Sequence, residues 1–95
     1  MNFNDLNIFI NIYETGSLNQ SAVNLGYAQS NLTARLKNLE SEMCTRLFIR
    51  KYNGIVPTRS GDKLYYFAKE TLQNFEIMQK ELISQGKSIL ISELL

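Results

Sequence analysis

Residues 17–39, SLNQSAVNLGYAQSNLTARLKNL, constrain the fold more than any other stretch of this chain. They predict two short amphipathic helices joined by a tight turn. Ser17 followed by Gln20 is a capping-box pattern: the serine hydroxyl accepts a first-turn N–H, and the glutamine reaches back to the Ser17 N–H. Ala22, Val23 and Leu25 then supply one apolar face. Gly26 follows at the point where a residue without Cβ most readily turns left-handed and ends a helix. A further helix, from about Gln29 to Met43, carries Leu32, Leu36 and Leu39 at helical spacing. Its other face holds Gln29, Ser30, Asn31, Thr33, Arg35 and Lys37, which are basic, rich in hydrogen-bonding groups and nearly free of acid. Two helices so joined and so equipped predict a helix-turn-helix whose second helix enters a DNA major groove.

Charge is distributed in keeping with that expectation. The net charge of +1 over 95 residues conceals a basic middle third. Residues 1–34 hold Asp5 and Glu14 and no base, a net −2. Residues 35–63 hold Arg35, Lys37, Arg46, Arg50, Lys51, Arg59 and Lys63 against Glu40, Glu42 and Asp62, a net +4. Residues 64–95 return to −1. A concentrated positive band suits one phosphate-facing surface, with an ordinary solvated patch as the plainer alternative.

The remaining elements frame this motif. Asn2 is a good N-cap for a first helix from about Phe3 to Glu14, with Asp5 in its first turn. Leu6, Phe9, Ile10 and Tyr13 recur at helical spacing, widened by Ile8 and Ile12, and must pack as core. After Met43 the pattern becomes β-like. Leu47, Phe48 and Ile49 face Ile55 and Val56 across Lys51-Tyr52-Asn53-Gly54, where Asn-Gly signals a hairpin, and Pro57 ends the ribbon. Such a ribbon is a wing, and its bases Arg50 and Lys51 would lie beside the DNA backbone or an adjoining minor groove. Thr58 is the expected N-cap of a fourth helix running to Leu82 or beyond, and a helix N-terminus also suits a phosphate. Leu64, Ala68, Thr71, Phe75, Met78 and Leu82 alternate by four and three, flanked by Phe67 and Leu72. That seam is too long for one small domain to cover, which predicts pairing with the same helix of a second chain. Tyr65 and Tyr66 read as packing residues between this helix and the domain.

The fold expected is therefore mainly α: a winged helix-turn-helix of three helices plus a two-stranded wing over residues 1–58, then a dimerisation helix over 59–85. Gly86 is expected to break that helix. SILISELL, residues 88–95, is apolar and β-prone, so residues 86–95 read as a hinge and the first strand of a further domain.

Catalysis finds no support in the residues. The chain has no histidine and one cysteine, Cys44, so it lacks the usual general base, the commonest zinc ligand and an internal disulfide. No convergent set of titratable groups replaces them. Cys44 reads as a small hydrophobe near a helix end. No apolar run approaches a membrane span and residues 1–20 show no secretory signal, so a cytoplasmic protein without membrane association is expected. A winged helix serving protein assembly would usually carry an apolar outer face on its third helix, and this one is polar.

Taken in order, Leu6-x-x-Phe9, Gly16-Ser17-Leu18, Ser21-Ala22, Gln29-Ser30, Leu39-Glu40, Leu47-Phe48-x-Arg50 and Pro57-Thr58-x-x-Gly61 resemble the N-terminal DNA-binding domain of the LysR-type transcriptional regulators. The likeness covers residues 1 to about 83. It implies a homodimer on double-stranded DNA, with Gln29, Ser30 and Thr33 at DNA-contacting positions. It also implies an effector-binding domain elsewhere in the full-length protein, with no cofactor in this chain. Four departures matter. Ala28 stands where the family commonly has a capping serine, a change that costs about 1 kcal/mol. Ser30 replaces the usual proline, and Ala34 the usual arginine. Arg35 follows one residue on, rotated by about 100°, so it could read a base or clamp a phosphate. Cys44 replaces the glycine that commonly ends the helix.

Overall fold

The computed structural model describes the backbone of residues 1–94 and the side chains of residues 1–87. Helix α1 (Phe3–Thr15) begins with a complete capping box: Asn2 Oδ1 accepts the Asp5 N–H at 2.8 Å, and Asp5 Oδ2 accepts the Asn2 N–H at 3.1 Å. Helix α2 (Leu18–Leu25) carries only half of the box expected there. Ser17 Oγ accepts the Gln20 N–H at 3.1 Å, but the Ser17 N–H goes to Thr15 Oγ1 at 3.3 Å. Gln20 turns instead to Asn24 Oδ1 at 2.8 Å. The threonine hydroxyl, held at 2.7 Å from the buried Ser21 hydroxyl, already occupies the position the glutamine would take.

Helix α3 (Gln29–Met43) matches the expected span. Ala28 gives it no side-chain cap, and no neighbour substitutes. Cys44 ends it in the left-handed region at φ 54°, donating its N–H to the Glu40 and Ser41 carbonyls as a glycine would.

Strands β1 (Phe48–Lys51) and β2 (Gly54–Pro57) pair antiparallel with Lys51 opposite Gly54 and Phe48 opposite Pro57. The turn is therefore centred on Tyr52 and Asn53, not on Asn53-Gly54. Gly54 is needed for another reason. It sits at φ 141°, where a Cβ would lie 2.7 Å from the Gly16 carbonyl oxygen, while the Ile55 N–H donates to that same oxygen at 3.2 Å. The glycine lets the wing close against the α1–α2 turn. The strands alternate faces: Phe48 and Ile55 are buried, Ile49 and Val56 exposed.

The main core lies where α1, α2, α3 and the wing meet, around the fully buried Phe9, Ile12, Leu32 and Leu47. Helix α4 (Arg59–Leu94) runs antiparallel to α1, so that Tyr13 meets Tyr65, Leu6 and Ile10 pack with Ala68, and Phe3 meets Phe75. It spans the long axis of a molecule measuring 64 × 26 × 20 Å. The expected break at Gly86 and strand over 88–95 are corrected here: the helix passes Gly86 and continues to Leu94, with Leu95 outside the described residues. A lone strand leaves its N–H and C=O groups unpaired, whereas a helix satisfies them locally, and one glycine weakens it by only about 1 kcal/mol.

Candidate nucleic-acid interface

At about 100° per residue, burial of Leu32, Leu36 and Leu39 turns Ser30, Ala34, Lys37 and Asn38 outward as the crown of α3. Gln29, Ser30 and Asn31 are exposed at its N-terminal end. Thr33 lies on the flank towards the wing, its hydroxyl donating to the Gln29 carbonyl at 3.0 Å. Thr33, Lys37, Glu40, Arg46 and Arg50 line one groove between α3 and the wing, floored by Leu18, Leu36, Phe48 and Ile55. Lys51 is exposed at the end of β1.

Arg35 goes elsewhere. It projects from the opposite flank, 3.8 Å from the Asp5 carboxylate, with its guanidinium 5.3 Å from the centre of the Tyr27 ring. Asn4 donates to the Tyr27 hydroxyl at 3.4 Å, so α1 and the α2–α3 turn share this contact. Arg35 does not line the wing-side groove with the other bases.

Arg46 is the residue that sequence reasoning left out of the site. Its side chain is 73% exposed, and its Nε lies 3.5 Å from Glu40 Oε2. The same oxygen accepts the Leu47 N–H at 2.6 Å and the Phe48 N–H at 3.4 Å. Glu40 thus ties α3 to the start of the wing and holds Arg46 at the groove. The only signal in the sequence was position: Arg46 falls between the third helix and the ribbon, within the basic band.

Thr58 is fully engaged by the fold. Its hydroxyl donates to the Arg46 carbonyl at 2.6 Å and accepts the Gly61 N–H at 3.1 Å, and its N–H donates to the Leu47 carbonyl at 2.9 Å. The expected N-cap is present, with no hydroxyl proton left for a phosphate.

The α4 seam divides in two. Ala68 is fully buried, Leu64 and Leu72 pack with it against Leu6 and Ile10, and the Phe75 ring lies 4.6 Å from Phe3. These positions serve the chain's own core, because α1 runs alongside. Thr71 lines an apolar groove with Met1, Phe3 and Phe67. Met78 and Leu82 are exposed, as are Phe67, Ile77 and Ile83. Among the described residues no helix is long and apolar enough to cross a membrane.

The family model described as "Bacterial regulatory helix-turn-helix protein, lysR family" matches residues 3–62. The chain is similar to the HTH-type transcriptional regulator CzcR of Bacillus cereus, 38% identical over 80 residues, covering 84% of this chain and 28% of that protein. Among solved structures it resembles BenM_DBD in a catB site 1 DNA complex, with a TM-score of 0.83 and 27% identity over 88% of this chain and 93% of that one. It also resembles CbnR, a LysR family transcriptional regulator, with a TM-score of 0.83 and 25% identity over 88% of this chain and 29% of that one. The chain thus spans little more than a quarter of the length of the curated relatives it matches, 28% in the case of CzcR.

Proposed function

The chain belongs to the lysR family of bacterial regulatory helix-turn-helix proteins, and from that premise we propose that it is the DNA-binding part of a transcriptional regulator. Two copies would insert α3 into successive major grooves of an interrupted palindrome, with α4 as the linker between them. Residues 1–58 form the reading unit in this view. One observation carries it: the groove in which Thr33, Lys37, Arg46 and Arg50 converge beside the exposed Gln29 and Ser30. Basic groups on two elements flanking a polar helix are what a phosphate backbone and base edges require together. Resemblance to a DNA complex of BenM_DBD supports the same reading. Gln29 and Ser30 are assigned to bases, Thr33 to a van der Waals contact, and Lys37, Arg46, Arg50 and Lys51 to phosphates. Arg35 is assigned to bracing α3 against α1, and Asn31 to the groove edge. The larger protein would take its small-molecule effector outside this chain and act in the cytoplasm, where its DNA lies.

Binding of the purified chain to cognate duplexes selected from a random library, and to scrambled ones, tests the assignment. Gln29→Ala should weaken cognate binding by roughly 1–3 kcal/mol and leave scrambled duplex unaffected. Lys51→Ala should weaken both alike and reduce the salt slope by about one. Affinity that does not change between about 50 and 200 mM salt would overturn the phosphate-facing surface.

A further inference from the structure

Tyr13 on α1 and Tyr65 on α4 stack face to face, with ring centroids 3.9 Å apart and planes 9° from parallel. Each hydroxyl is held by a carboxylate from the other's helix. Tyr13 donates to Asp62 Oδ1 on α4 at 2.7 Å, and Tyr65 donates to Glu14 Oε2 on α1 at 2.9 Å. Lys69 reaches the same Glu14 oxygen at 3.8 Å, and the edge of Tyr66 closes on Tyr65 at 5.6 Å. The arrangement is reciprocal and directional. The neighbouring apolar contact is neither. Leu6 and Ile10 meet α4 through Leu64, Ala68 and Leu72, an apolar contact with no hydrogen bond to fix its direction.

Packed helices ordinarily scatter by about 15° in crossing angle. On a helix as long as α4, that swing moves Ser84, roughly 28 Å beyond Tyr65, by about 7 Å. A device that narrows the angle near the root of α4 therefore acts, together with the Phe3–Phe75 contact farther along, on where its far half points.

We propose that the crossed tyrosine–carboxylate pairs, Tyr13–Asp62 and Tyr65–Glu14, form a latch that fixes the direction in which α4 leaves the DNA-binding unit. Tyr13 and Tyr65 are positioning residues. They act through α4. In the dimer proposed above, on which this consequence rests, the latch sets the separation of the two recognition helices and so the operator spacing that is accepted.

The sole cysteine supplies the probe. Cys44 is exposed at the end of α3, and a second label site comes from Ser84→Cys, a near-isosteric change at an exposed position of α4. Nitroxides at the two sites, diluted into excess unlabelled Cys44→Ser chain, report the distance from α3 to the far part of α4 within one chain. Electron–electron dipolar spectroscopy should give one narrow distribution. The Tyr13→Phe/Tyr65→Phe variant keeps both rings and loses both hydroxyl bonds, and its distribution should broaden or shift by several Å. Each single Phe variant should give a smaller change, which supplies the same test if the double variant unfolds. An unchanged narrow distribution in folded variants overturns the latch. Chains labelled at Cys44 alone separate the two ideas: absence of an interchain signal sinks the dimer and the operator-spacing consequence, while the intrachain result still decides the latch.

Discussion

Single residues carry two consequences that the sequence states only in part. Cys44 occupies a left-handed position at φ 54°, which costs a side-chain-bearing residue about 1–2 kcal/mol and a glycine far less. Its side chain is exposed and makes only a 3.7 Å contact to the Ser41 carbonyl. Cys44→Gly should therefore raise stability by about 1 kcal/mol, read as a higher urea midpoint with unchanged slope; a lower midpoint would show that the cysteine is not strained. Tyr13 is the second case. Its hydrogen bond to the Asp62 carboxylate, with burial second, pushes its pKa up to about 12 from 10.0. The native state then holds a proton that the unfolded chain releases first. The stabilisation is complete below about pH 10 and disappears as pH rises towards 12. Tyr13→Phe should flatten that part of the stability profile relative to the parent. The caps at Asn2 and Gly26 were legible because they depend on local backbone chemistry. The destinations of Arg35 and Arg46 were not, because each is fixed by a carboxylate that only tertiary packing brings near: Asp5 from α1 for the first, and Glu40, engaged by the wing's own N–H groups, for the second.

At the scale of elements, the helix-turn-helix, the wing and the start of α4 could be read because period, turn residues and capping agreed with one another. What failed was the end of α4. Residues 88–94 have strand-like composition, yet composition does not supply a partner strand, and without one the backbone pairs with itself as helix. The Asn-Gly signal likewise found the hairpin but misplaced the reason for its glycine, which lies in the approach of Gly16. Gly61 shows how closely the elements are fitted. It is buried in the first turn of α4, and a Cβ there would overlap the Leu47 carbonyl oxygen and press on Pro57. That oxygen also accepts the Thr58 N–H. Gly61→Ala must separate α4 from the wing, and should lower stability by about 1–3 kcal/mol, measured by thermal unfolding. A loss below about 0.5 kcal/mol would mean that the junction yields freely.

For the whole molecule, the question is what covers the outer half of α4. Antiparallel packing on α1 accounts for Leu64, Ala68, Leu72 and Phe75 and stops at Phe3, where α1 begins. Beyond that point Ile77, Met78, Leu82 and Ile83 stand exposed, at 55%, 41%, 57% and 57% of their surface. They continue towards the N-terminal end of α1, where Met1, Phe3 and Phe67 are also open. At about 100° per residue, Met78 and Leu82 share a face with Phe67 and Thr71 while Ile77 and Ile83 project to its two sides; an exposed apolar face of this kind suits an interface, and a two-fold partner would bring the same face to it. The proposed dimer therefore depends on Met78 and Leu82 more than on the buried half of the seam. Met78→Glu together with Leu82→Glu places like charges where apolar groups would meet, and burying them unpaired is costly. Both positions are already exposed in the single chain, so its fold should be unaffected and its circular dichroism and unfolding midpoint should hold. Sedimentation should shift from dimer to monomer, and affinity for a full palindrome should fall to that for a half-site. A variant that still sediments as a dimer and binds the full site unweakened would move the interface away from α4, and with it the spacing that the linker is proposed to impose.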